Sequence, residues 1–145
     1  MKVNELDQIT GTLSKPSKMP GWAYGIPAKE CKVGSKLAKI PGTVCHGCYA
    51  LKGCYVFPNV QAAQYKRLDS ITDPRWVQAM AAQILRHKSK WFRWHDSGDI
   101  QSIDHLKKIY GDIMRHKRKQ KCITLALWLV QCYGLLTAAR TPYQP

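Results

Sequence analysis

The chain has 145 residues, with 23 Lys and Arg against 9 Asp and Glu, a formal net charge of +14 at pH 7. That length suits one domain and allows a core that needs no disulfide support, so the six cysteines must serve some other purpose. The opening MKVNELDQITGTLSKPSK lacks the apolar core of a secretory signal. This predicts a soluble, cytoplasmic protein, in a setting where closely spaced cysteines bind metal or do chemistry more often than they cross-link. The charge balance favours polyanionic partners, nucleic acid or an acidic membrane surface. It is uneven, because the last acidic residue is Asp112 and the final 33 residues carry none.

Residues 1 to 44 are rich in Gly, Pro and Lys, with GWAYGIP and KIPGT as turn signals. They read as mostly irregular, a segment that wraps rather than forming a layer. A helix is expected over residues 57 to 68 behind Pro58, with Val60, Ala63 and Leu68 as sparse apolar positions. The next has Asp73 as N-cap and Pro74 at its first position. Trp76, Val77, Met80, Ala81, Ile84 and Leu85 form one apolar face, and the helix ends near His87 or Lys88. Residues 91 to 95 (WFRWH) read as a strand, and Ser97-Gly98-Asp99 as the turn leaving its carboxyl end.

A third helix follows, with Ser102 as N-cap and Asp104 in the first turn. Ile103, Leu106, Ile109, Tyr110, Ile113 and Met114 are its expected buried face. Residues 122 to 130 form an unbroken β-prone apolar run. The order helix, strand, helix, strand predicts an α/β fold with parallel strands joined by right-handed crossovers. Residues 1 to 121 read as one metal- or cluster-binding α/β domain and 122 to 145 as an apolar strand and tail.

Cys45-His46-Gly47-Cys48 is a C-x-x-C step in which two thiolates reach one metal and Gly47 permits the tight turn. Thirteen residues separate Cys31 from Cys45, and Gly34, Pro41 and Gly42 let that loop bring Cys31 back as a third ligand. Cys54, His46 or His95 as fourth ligand would close a structural zinc site. An iron-sulfur cluster on three thiolates instead leaves one iron for a substrate or cofactor. Ordinary buried, reduced cysteines are the bland alternative, and the isolated Cys54, Cys122 and Cys132 are read that way.

The stretches CHGCYALKGCYVFPNVQAAQYKRL, DPRWVQAM and WFRWHDSGDIQSIDHL resemble a family of phage proteins called gene product 88, over roughly residues 25 to 115. The C-x-x-C-Y-A and H-D-S-G-D pieces also resemble, more remotely, radical SAM proteins. That second resemblance implies a partial or complete α/β barrel in which three cysteines hold a [4Fe-4S] cluster and the open iron takes S-adenosylmethionine. Cys31, Cys45 and Cys48 would be the ligands. Asp96, Ser97, Gly98 and Asp99 would contact the cofactor's amino acid part, the two carboxylates facing its ammonium.

The thirteen-residue gap departs from the C-x3-C-x2-C spacing of that superfamily. A standard barrel needs about 200 residues or more, so the expected architecture is incomplete and barrel-like, with βα units behind an irregular cysteine-containing N-terminal segment. The ending CITLALWLVQCYGLLTAARTPYQP departs from the pattern such families carry, and is read as a truncated or frameshifted C-terminus, which leaves an inactive truncated copy as one reading.

The basic run RHKRKQK, residues 115 to 121, suits phosphate contacts, and Trp91, Phe92 and Trp94 suit base stacking, though a solvated helix end explains the same run. His95, beside two aspartates at a strand end, is a functional candidate or a structural hydrogen-bonding residue. Residues 122 to 139 carry no charge and resemble a tail anchor, but Thr124, Gln131, Gly134 and Thr137 dilute them, so no membrane span is expected. The competing function is a zinc-stabilised nucleic-acid-binding module whose cysteines are structural. No residue pattern names a substrate, a reaction or an oligomeric state.

Overall fold

The computed structural model describes residues 1–17 and 20–113. The basic run, the apolar run at 122 to 130, the anchor-like stretch, Cys122 and Cys132 lie outside the described residues. Within them the order is α1 (Val3–Thr10), β1 (Trp22–Tyr24), α2 (Gly34–Leu37), α3 (Pro58–Ser70), α4 (Trp76–Arg86), β2 (Phe92–Trp94) and α5 (Ile103–Lys107). Short 3-10 turns occupy Ala28–Glu30, Tyr49–Leu51 and Gly53–Val56, and wider helical turns follow α5 over Lys108–Ile113.

The N-terminal stretch is more regular than its composition predicts. α1 ends at Gly11, whose φ of 73° lets its N–H bond back to Asp7 O at 3.1 Å. Leu6 and Ile9 of α1 pack on Ala79 of α4. β1 is three residues between two glycines, too short to show a period, yet it is the partner of β2. The pair is parallel, with Trp22 opposite Phe92, Ala23 opposite Arg93 and Tyr24 opposite Trp94. A parallel sheet is therefore present, and among the described residues an N-terminal strand supplies the partner of β2. Among the described residues it has two strands and is not closed, so no barrel forms.

α3 and α4 lie in the long crossover between the strands. Pro58 opens α3, where a missing N–H costs nothing. α4 starts at Trp76, later than Asp73 and Pro74 predict. Asp73 is spent on the preceding turn, where its Oδ1 accepts the Arg75 N–H at 2.7 Å and its Oδ2 pairs with the Arg75 guanidinium at 2.9 Å. Ser102 caps α5 as expected, its Oγ accepting His105 N–H at 3.0 Å.

The buried face of α5 is rotated from the predicted one. Ile103 is 73% exposed, whereas His105 is 1% exposed and sits edge-on to Trp76 at 5.7 Å. The core gathers Tyr24 and Ile26, Trp76, Met80 and Ile84 of α4, Phe92 and Trp94 of β2, with Ile71 and Ile109. Phe92 and Trp94 are thus core residues and cannot stack on bases. Inside this core the Tyr24 hydroxyl donates to Arg67 O at 2.7 Å and accepts from Trp76 Nε1 at 3.2 Å. Burial pushes that phenol up to about 12.

Candidate functional site

Past the two strands the backbone ladder continues for one more step on each side. His95 N donates to Tyr24 O at 2.7 Å and Ile26 N to Ser97 O at 2.9 Å. These bonds hold the H-D-S-G-D segment flat against the chain leaving β1. Gly98 makes the approach workable: its φ is 74°, and a Cβ there would come within 2.6 Å of Ile26 O.

At this carboxyl end of the sheet lies a cavity of about 520 Å³. Cys31, Cys45 and Cys48 line it, together with Ser97, Gly98 and Asp99. His46 and His95 also reach its wall; Cys54 does not. Cys31, Cys45, Cys48 and Cys54 form no disulfide with one another. Cys31 caps the turn Ala28–Glu30, and its carbonyl accepts Ser35 N–H at 3.0 Å as α2 begins. A Cβ added to Gly34 would stand 3.5 Å from Cys31 Sγ and 3.5 Å from Cys45 Sγ, so the two sulfurs are no further apart than twice that distance.

Cys48 closes a turn on Cys45 O at 3.2 Å and leads directly into Tyr49. The Tyr49 hydroxyl donates to Asp96 O at 2.6 Å, and Tyr55, edge-on to Tyr49 at 5.7 Å, reaches the same carbonyl at 3.5 Å. Two tyrosines of the cysteine loop are thereby anchored on the strand end. Burial raises both phenols, Tyr55 to about 12. These contacts were not anticipated from the sequence, although the Tyr following C-x-x-C carries the signal.

Asp96 is not on the cavity wall. Its Oδ1 fills the space that a Cβ on Gly25 would need, on the side of the buried Arg67. Desolvation raises the Asp96 pKa, opposed by the charges of Arg67 and Arg93. Arg67 donates through Nε to Thr12 O at 2.9 Å and through Nη1 to Gly25 O at 3.0 Å, and burial lowers its pKa. Asp99 does face the cavity, and its Oδ1 accepts Ile100 N–H at 2.7 Å.

In and behind the wall a group of buried polar atoms has no hydrogen-bond partner: Trp94 Nε1, both ring nitrogens of His95, Asp96 Oδ1, Ser97 Oγ and His105 Nε2. His95 also holds a φ of 55°, a left-handed backbone uncommon outside glycine. It meets His105 edge-on at 5.5 Å. Burial, with His105 adding, pushes His95 down to about 3, and burial, with Lys108 adding, pushes His105 to about 4. Both rings are neutral at neutral pH.

Among the described residues no three His, Cys, Asp or Glu side chains are grouped closely enough to hold one metal ion. No helix among them is long and apolar enough to cross a membrane.

Fold and site together define a small α/β protein with a cysteine-walled cavity at the carboxyl ends of parallel strands, where open sheets of this class place their ligands. The chain belongs to the gene product 88 family, which it matches over residues 2–121. No curated protein and no solved structure matches it. These comparisons add nothing to the remoter likeness to radical SAM proteins.

Proposed function

We propose that the chain binds an iron-sulfur cluster through Cys31, Cys45 and Cys48. The observation that carries this is the convergence of three cysteines, from two separate loops, on one cavity that the Ser97-Gly98-Asp99 turn also lines. Thiolates sharing one tetrahedral zinc at ~2.3 Å stand roughly 4 Å apart. Donors spread round a cavity of about 520 Å³ suit a group of several atoms better than one ion. A [4Fe-4S] cluster on three thiolates keeps one iron open to a further ligand.

The finer reading is that S-adenosylmethionine occupies the remaining space. Asp99 is then the carboxylate on the cavity wall that suits its ammonium, and Asp96 acts behind the wall, holding the strand end in place with Arg67. Reconstitution with iron and sulfide under anaerobic conditions tests the cluster. The wild type should gain a broad visible absorption with iron and sulfide in equal amounts, and a Cys45→Ala/Cys48→Ala variant should not. A colourless protein carrying one zinc overturns it in favour of a structural zinc site.

A further inference from the structure

The loops that enclose the cavity carry exposed lysines with almost no carboxylate among them. Glu30 is the only carboxylate between Asp7 and Asp69, and it is engaged by the Tyr65 hydroxyl at 3.1 Å. In the loops enclosing the cavity Lys29, Lys32, Lys36, Lys39 and Lys52 are all exposed. Half of the exposed large apolar side chains among the described residues fall in the same loops, at Ile40, Val44, Tyr49, Leu51, Val56 and Phe57. Lys29 and Lys39 share the cavity lining with Val44, Tyr49 and Leu51. Cation and apolar surface therefore alternate on one concave rim.

We propose that this rim binds single-stranded nucleic acid, with phosphates on Lys29 and Lys39 and an unstacked base against Val44, Tyr49 and Leu51 at the cavity mouth. Uncompensated lysines supply the sequence-independent phosphate attraction, and an apolar, aromatic-bearing concavity takes a base face that a duplex keeps stacked. The concavity argues against a lipid surface, which calls for apolar side chains that protrude. Of the aromatics that the sequence favours for stacking, Phe92 and Trp94 are buried and Trp91 is half-buried, whereas Tyr49 on the cysteine loops is exposed.

This surface stands on side chains that hold no metal, and its test is separable from that of the cluster. Fluorescence anisotropy with 12-nucleotide DNA and RNA single strands, the matching duplex and anionic phospholipid vesicles is run on the full chain at several salt concentrations. Lys29→Gln/Lys39→Gln is compared with Lys15→Gln/Lys90→Gln, which removes equal charge beside Trp22 and Trp91 at the amino ends of the strands. The rim variant should bind single strands about tenfold more weakly and lower the salt slope by about 1.4, while the control stays near wild type. The ratio between the DNA and RNA strands then identifies the preferred sugar.

Equal losses in both variants, duplex binding as tight as single-strand binding, or rim-dependent binding of vesicles without binding of strands overturns the proposal. The same titration on Cys45→Ala/Cys48→Ala separates the two readings. Strand binding retained there, whether or not the wild type takes up iron, supports the rim on its own.

Discussion

The Tyr49 hydroxyl donates to the backbone carbonyl of Asp96 at 2.6 Å, joining the residue after the C-x-x-C step to the strand end beside the cavity. Two segments far apart in sequence are thereby tied together next to the cavity. Tyr49→Phe removes the bond and little else. It should cost about 1 kcal/mol in urea unfolding and slow iron uptake by Cys45 and Cys48. Unchanged stability and uptake would show that the tyrosine packs without clamping.

Gly98 and Gly34 separate folding from ligand binding. Alanine at Gly98 needs a left-handed backbone and meets Ile26 O, so Gly98→Ala should destabilise by about 2 kcal/mol or more. Alanine at Gly34 first meets the Cys31 and Cys45 side chains. Gly34→Ala should leave the unfolding midpoint of the metal-free chain nearly unchanged while lowering iron content after reconstitution. The reverse ranking would place Gly34 in the folding core.

Cys54 is exposed and off the cavity wall, whereas Cys31 lines it. Cys54→Ser should reconstitute like the wild type and Cys31→Ser should lose most of its visible absorption. Iron retained by Cys31→Ser but lost by Cys54→Ser would move the site to the other end of the loop.

Arg67 is buried with two carbonyl acceptors and the Asp96 charge nearby. Arg67→Met removes the donor from both carbonyls and leaves the carboxylate only the Arg93 charge, a loss of about 3 kcal/mol. Adding Asp96→Asn should recover part of it. A double variant no better than the sum of the singles would show that the two charges are uncoupled.

The two histidines predict acid sensitivity. Their folded pKa values, about 3 for His95 and about 4 for His105, lie below the ordinary value of 6.5. The unfolded chain therefore takes up these protons first as pH falls, and the folded state loses ground. The contribution is fully present above about 6.5 and is lost progressively down to about 4 for His105 and about 3 for His95. Asp96, with its pKa raised, acts in the opposite sense, favouring the fold at low pH. Urea midpoints between pH 7 and pH 4 should fall for the wild type and fall less for His105→Gln. Parallel curves would assign the acid sensitivity to other groups.

Residue chemistry and local periodicity made α3, α4, β2 and the Ser102 cap legible in the chain alone, because each depends on neighbours within one or two turns. The three cysteines and the Ser97-Gly98-Asp99 turn could be named in the same way, since thiols at C-x-x-C spacing and a glycine turn after a strand are local patterns. What pairs with β2 was not legible. β1 is a three-residue strand between Gly21 and Gly25, and its place beside Phe92 is set by long-range packing that no short window contains. Tertiary structure also decided that Asp99 faces the cavity while Asp96 turns toward Arg67, because Gly25 leaves room for a carboxyl on that side. It put His105 in the core where Ile103 was expected, since the face of a short helix is chosen by the aromatic wall of Trp76 that it meets. Sequence patterns name the groups able to do chemistry; only the packing of distant segments determines which of them share a space.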